Sequence, residues 1–240
     1  MSQRPKIRLY VDHPLAEGER VALSRDQANY LFNVMRLGIG AEVALFNGRD
    51  GEWRAEVAQA GKRAGELACV ARSAPQGTPP DLWLLFAPIK KARTDFIVEK
   101  AAEMGVARIC PVQTAFTNSE RIRQDRLQAH AVEAAEQCGG TYVPPVDPLR
   151  PLAQVLADWP EGRGLIFADE VLAGADPAPL PPGPAAILIG PEGGFSDAER
   201  TQLRGLDCVT SIALGPRILR ADTAAVAALT LWQAAAGDWM

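Results

Sequence analysis

The residues able to do chemistry in this 240-residue chain gather between positions 187 and 229, ILIGPEGGFSDAERTQLRGLDCVTSIALGPRILRADTAAVAAL. Two apolar runs, 185–189 and 209–214, each lead into a Gly-Pro pair, and each is followed by a helix-like segment. The repeat predicts two loops at the same ends of neighbouring parallel strands, the edge at which open α/β sheets bind ligands. In the first loop Gly193 and Gly194 carry no Cβ, so a ligand can approach the backbone. The second loop, Gly215-Pro216-Arg217-Ile218-Leu219-Arg220, sets two arginines around an apolar pair. The first loop carries Glu192 and no lysine. A carboxylate repels phosphate, so a neutral or cationic ligand is expected in this crevice. The fingerprints G-x-G-x-x-G, G-x-x-x-x-G-K-[ST] and G-x-S-x-G are absent.

The elements that must hold these loops are legible from period and punctuation. Ser196-Asp197-Ala198-Glu199 is a capping box that opens a helix after the first loop, and small residues from about Ala221 continue the second loop as another. Upstream, 82–87 is a continuous apolar run suited to a strand covered on both faces. A helix follows over 90–104, stopped by Gly105, then a strand over 108–112. A long helix over 123–137 ends at Gly139-Gly140, and another strand follows over 165–168. About five parallel strands result, which predicts an α/β domain. The proline cluster 177–184 reads as a surface loop within it. The first seventy residues are mainly β, with strands expected over 7–11, 42–46, 52–57 and 67–71 and a tight turn at Asn47-Gly48-Arg49-Asp50-Gly51. One helix interrupts them: Ser24 and Gln27 form a second capping box, and Tyr30, Leu31, Val34 and Met35 give a helical apolar face. A small β-barrel with one helix fits this pattern. The breaker-rich run 74–80 separates the two parts.

Composition describes an ordinary globular chain, 48% hydrophobic and 22% charged, with no apolar run near the ~20 residues of a membrane span. A cytoplasmic protein is expected. Cys69, Cys110, Cys138 and Cys208 are scattered and only His13 and His130 accompany them, so no zinc set forms and reduced, mostly buried thiols are expected. The net charge of −4 is uneven: residues 1–73 hold 11 basic against 9 acidic side chains, and residues 74–240 hold 14 against 20. That asymmetry permits a polyanion-facing N-terminal module on an acidic enzyme.

Taken singly, several of these residues read two ways. Arg217 and Arg220 read equally as ligand contacts and as ion-pair partners of Glu192 or Asp222. Glu136 reads as a solvated helix face, and Asp222 as a helix N-terminal residue favoured by the dipole. Lys90, Lys91 and Arg93 read as exposed bases, with contact to RNA phosphate as the alternative. Trp53 reads as packing, with base stacking as the alternative. No role attaches to His13 or His130.

The paired segments IGPEGGFSDAE and LGPRILRADTA resemble the signature of the RsmE family, the SPOUT-class methyltransferases that modify N3 of a uridine in 16S ribosomal RNA using S-adenosylmethionine. The resemblance extends to Met35-Arg36-Leu37, Asn47-Gly48, Lys90, Glu103-Met104-Gly105-Val106, Asn118-Ser119-Glu120-Arg121 and Glu133-Ala134-Ala135-Glu136-Gln137-Cys138. It implies a PUA-like RNA-binding β-barrel over 1–73, a linker over 74–80 and a SPOUT methyltransferase domain over 81–240. The latter is a parallel sheet with a C-terminal trefoil knot, in a homodimer with composite sites. General topology disfavours knots, but threading would hold both loops against one cofactor without a mobile lid. S-adenosylmethionine would lie against Leu188, Gly190, Pro191, Glu192, Gly193 and Gly194, then Leu214, Gly215, Arg217, Ile218, Leu219 and Arg220, with Thr223 and Ala224 on the following helix. Arg220 would stabilise charge on a uracil oxygen, and Glu192, Glu136 or Asp222 would assist deprotonation, the choice among them staying open. The implied partner is 16S ribosomal RNA in the 30S subunit, with neither membrane nor metal involved. Two departures from the family pattern stand out: Ala221 and Asp222 replace Thr and Glu, and no arginine follows the Glu-Gln segment near Gly140. Two other classes compete, an RNA-binding ribosome-assembly factor without methyl transfer and an α/β enzyme binding a nucleotide in the loops.

Overall fold

The computed structural model describes residues 5–61, 63–118, 121–176, 179–181 and 183–239. Ser119 and Glu120 of the quoted family segment, and positions 177, 178 and 182 of the proline cluster, lie outside the described residues. The chain divides into two compact units: residues 1–78 with 135–143, and residues 79–134 with 144–240.

The first unit is a five-stranded sheet of β1 (Arg8–Tyr10), β2 (Arg20–Ala22), β3 (Glu42–Phe46), β4 (Glu52–Ala60) and β5 (Gly65–Ala74), in the order β1-β3-β4-β5-β2. The pair β1/β3 is parallel and the others are antiparallel. Strand β2, only three residues long, has too short a period to be read from sequence. Inward residues such as Val21, Leu31, Val43, Leu45, Val57 and Leu67 form one core. Trp53, partly buried, packs on that core and donates its indole N–H to the Asp50 carbonyl, in keeping with the packing role.

The expected helix is α1 (Arg25–Ala28), and Ser24 and Gln27 cap it reciprocally as the capping box predicts. It then widens into a π-helical segment, Asn29–Val34, closed by Met35 N–H to the Tyr30 carbonyl. The change of period corrects the expected apolar face. Leu31 is buried, whereas Tyr30, Val34 and Met35 are 38%, 61% and 41% exposed, and Phe32 and Leu37 pack on the core instead. Arg8 of β1 is buried against Glu52 and also donates to the carbonyls of Glu136 and Gly140, at 2.9 and 2.7 Å. A cation is favoured at a helix C-terminus, so Arg8 serves the carbonyls near Gly140, where the sequence itself places no arginine.

The second unit is a parallel sheet of β6 (Leu82–Phe86), β7 (Arg108–Gln113), β8 (Arg150–Pro151), β9 (Gly164–Ala168), β10 (Ala185–Ile189) and β11 (Val209–Ile212), in the order β11-β9-β10-β6-β7-β8. Its helices are α2 (Lys91–Glu103), α3 (Gln124–Cys138) up to Ala134, α4 (Leu152–Ala157), α5 (Asp197–Arg204) and α6 (Ala221–Ala236). Every residue of β10 is buried, as its position between β9 and β6 demands. The two-residue β8 and the six-residue α4 carry no clear period and go unforeseen. Cys69 and Cys110 are buried and Cys138 is exposed; burial pushes the Cys69 thiol up to about 11. Among the described residues, no helix is long and apolar enough to cross a membrane.

The turn between β3 and β4 is organised by a buried side chain. Asn47 Oδ1 accepts the amides of Arg49 and Asp50, and its Nδ2 donates to the Asp50 carboxylate and to the His13 carbonyl. The Asn47 bond, seconded by the Leu15 amide, holds the Asp50 carboxyl below its usual 3.8. A carboxyl whose pKa is lower folded than unfolded contributes stability that is complete above its unfolded value and lost as pH falls through the folded one. Asp50→Asn is therefore expected to lower the melting temperature at neutral pH, with a deficit that shrinks below about pH 4. Thermal melts across that range check this, and a deficit independent of pH would contradict it.

Candidate active site

Connections from four strands leave the C-terminal edge of the parallel sheet and enclose a cavity of about 470 Å³. That volume suits a small-molecule site. Strands β10 and β11 were expected to be neighbours, but β9 lies between them. Because all three run parallel, the loops after β10 and β11 still emerge on one edge. The end of β9 adds Asp169 and Glu170 to the lining.

Asp169 has a fully buried carboxylate, and a buried charge needs partners. Arg200 and Arg204, one turn apart on α5, supply them at 3.3 and 2.5 Å. Arg200 also pairs with Glu170, whose carboxylate accepts the Phe195 amide. Burial works against the Arg200 charge, but Glu170 and Asp169 outweigh it and leave the guanidinium pKa raised. The capping box at Ser196 and Glu199 starts α5 as expected. The network therefore fastens α5 behind the first loop.

In that loop, Gly190, Pro191, Glu192 and Gly194 line the cavity. The glycines serve packing as well as ligand approach. A Cβ on Gly190 would meet the ring of buried Phe195, which stands edge-on to Phe167. A Cβ on Gly193 would lie 3.1 Å from Phe116 Cβ. Gly194 has φ +68°, and a Cβ there would run into the Glu170 carboxylate.

The second loop lines the cavity with Leu214, Gly215, Arg217, Ile218, Leu219 and Arg220, followed by Ala224 on α6. Gly215 has φ +96° with open space where a Cβ would stand. Among the described residues, the backbone from Leu214 to Leu219 makes one hydrogen bond to protein, from Gly174 N–H to the Gly215 carbonyl. Its amides are thus open to a ligand.

The remaining expected site residues stand apart from the lining. Leu188 is buried within β10 and Thr223 is exposed on α6. Glu136 belongs to the first unit, where its carboxylate accepts the Tyr10 amide at 2.8 Å. Asp222 pairs with Arg93, and so does Glu192. The ion pairs that Arg217 or Arg220 could have made with those carboxylates are made by Arg93 instead. Among the described residues, Lys90, Arg217 and Arg220 have no ion-pair partner. Lys90 lines the cavity too, so the absence of lysine from the first loop does not make the cavity acidic.

A family model described as an RNA methyltransferase domain matches residues 76–233, and one described as an RNA methyltransferase PUA domain matches residues 23–67. The fold and cavity are those of an RNA methyltransferase. The chain is 28% identical to the ribosomal RNA small subunit methyltransferase E of Rickettsia conorii over 228 residues, 92% of this chain and 93% of that one. It is 30% identical to the protein of the same name from Synechocystis sp. over 217 residues, 87% of this chain and 71% of that one. This chain belongs to the ribosomal RNA small subunit methyltransferase E family. The Neisseria gonorrhoeae member, solved bound to S-adenosyl methionine, superposes with a TM-score of 0.84 at 27% identity over 98% of this chain and 99% of that one. A Legionella pneumophila structure in complex with the same cofactor gives 0.87 at 30% identity over 98% of this chain and all of that one.

The two positive-φ glycines are not equivalent. A side chain at either incurs left-handed strain of about 1 kcal/mol, but only at Gly194 does it also collide with a charged neighbour. Chemical denaturation is expected to show Gly194→Ala clearly more destabilised than Gly215→Ala. Equal losses would mean that the Glu170 contact does not constrain the loop.

Proposed function

We propose that this chain transfers a methyl group from S-adenosylmethionine to N3 of a uridine in 16S ribosomal RNA of the small ribosomal subunit. The observation that carries this reading is the charge pattern of the cavity. Its wall of Leu214, Ile218, Leu219 and Ala224 suits an adenine ring, and Lys90, Arg217 and Arg220 remain as cations for a polyanionic acceptor. The open amides of the second loop fit a polar ligand, and Glu192 and Glu170 fit a donor that carries positive charge.

When bound, S-adenosylmethionine supplies an electrophilic methyl group on a sulfonium. The protein's task is to hold uracil N3 in line with that methyl, accept the N3 proton and stabilise the anionic base. Arg220 stands at the loop end with its guanidinium free to oppose negative charge on a uracil oxygen. Glu192 and Asp222 are the candidate proton acceptors, whereas Glu136, expected as a third, accepts the Tyr10 amide within the first unit. The backbone and side chains of both loops orient the donor, with buried Leu188 supporting the lining from behind and Gly193 packed close to Phe116.

Residues 1–73 form a PUA-like RNA-binding barrel, 74–80 a linker and 81–240 the SPOUT methyltransferase domain, acting in the cytoplasm without metal. A trefoil knot is supported by the path of α6, which follows the edge strand β11 yet packs on the interior strand β10 and on α2. A homodimer is supported by apolar side chains exposed on those two helices, Leu231 and Phe96, and by Trp239 near the C-terminus.

Mass spectrometry of 16S ribosomal RNA from a strain lacking this gene is expected to show one missing N3-methyluridine, restored by the parent chain. Arg220→Ala is expected to lower the methylation rate on the order of 10²-fold, as loss of a charge-stabilising donor does. Its affinity for S-adenosylmethionine should change much less. Full activity in that variant would make Arg220 structural.

A further inference from the structure

The first turn of α2 breaks a local rule. Lys90, Lys91 and Arg93 stand at the helix N-terminus with no acid in that turn, although the positive end of the helix dipole disfavours cations. Local preferences that a fold overrides mark places where something else is selected. The start of this helix is also firmly held. Thr94 is buried, and its hydroxyl both accepts from the Ile89 amide at 3.0 Å and donates to the Ile89 carbonyl at 3.1 Å. β6, which leads into it, pairs with β10, and the Ala87 amide donates to the Ile189 carbonyl at the mouth of the first loop.

From this base the Arg93 side chain reaches two segments that are remote from each other in sequence. Its Nη1 lies 2.9 Å from Glu192 Oε1 of the first loop, and its Nε lies 3.5 Å from Asp222 Oδ2 at the start of α6. A planar guanidinium offers donors on different edges at fixed angles, so it can serve two carboxylates at once in a way that a single ammonium does not. Without it, neither the Glu192 nor the Asp222 carboxylate would have an ion-pair partner among the described residues.

We propose that Arg93 is a positioning residue for methyl transfer: one guanidinium ties the first loop, through Glu192, to the helix that follows the second loop, through Asp222, and so holds the two halves of the cavity in register. The proposal rests on reading the cavity as the methyl-transfer site. Arg93 acts through the two carboxylates and not on the reacting atoms. Because partly exposed ion pairs contribute little to folding, its effect falls on geometry more than on stability.

Three variants of the full chain test this: Arg93→Ala, Arg93→Lys, and Lys91→Ala, which removes a charge from the same turn without touching the clamp. Hydrogen exchange of peptides covering 190–194 and 220–224 reads the clamp in the protein alone. Steady-state methylation of small ribosomal subunits and S-adenosylmethionine affinity read its consequence. Arg93→Ala is expected to speed exchange in both segments and to lower kcat ~10-fold or more, the scale of a positional error, with a smaller change in KM. Arg93→Lys should restore protection in only one segment and part of the rate, and Lys91→Ala should match the parent. Unchanged exchange in Arg93→Ala, equal effects of Arg93→Ala and Lys91→Ala, or full rescue of both segments by lysine would overturn the proposal. If Arg93→Ala does not fold, the one-segment rescue by lysine decides. A parent chain inactive on small subunits but showing the exchange pattern would support the clamp and overturn the substrate reading.

Discussion

The cavity depends on a carboxylate that solvent does not reach. Asp169, one residue past the end of β9, is charged inside the protein and is tolerable only because Arg200 and Arg204 of α5 bond to it. Its backbone amide donates to Ile212 of β11. One residue thus joins the strand that precedes the second loop to the helix that follows the first. Glu170 extends the same network under Gly194, where only a residue without a Cβ leaves room for it. The seating of α5 behind the first loop follows from satisfying this buried charge.

A second layer of charge is centred on α2. Arg93 draws Glu192 and Asp222 together, so the acidic side chains of the cavity are matched by arginines contributed from α2 and α5. What the lining leaves unmatched is cationic: Lys90, Arg217 and Arg220. An apolar wall with a cationic rim is the arrangement needed where an uncharged ring system and a polyanion must meet, and the family to which the chain belongs makes that polyanion RNA.

Much of this was legible in the residues. The two Gly-Pro loops, both capping boxes and the strands over 42–46 and 185–189 lie where local pattern places them, because turn chemistry and period are local properties. Long-range pairing is not local, and there the residues are silent. Nothing in the run around Leu165 announces that β9 inserts between β10 and β11, and nothing in the triplet Lys90, Lys91, Arg93 says that its third member spans two distant carboxylates. The π-helical segment shows the opposite failure. Tyr30, Val34 and Met35 carry a helical pattern, but i→i+5 bonding changed the period and left that face in solvent. The expectation of a neutral or cationic ligand, drawn from Glu192, likewise sees one loop only, since Lys90 joins the lining from another strand's loop.

The central claim is that two loops from one sheet edge jointly grip a single sulfonium donor. Titration calorimetry of the full-length chain with S-adenosylmethionine, and separately with ATP, tests it most directly. Saturable heat with S-adenosylmethionine, abolished by altering either loop, and none with ATP is the predicted result. Binding of ATP with no heat from S-adenosylmethionine would contradict the account.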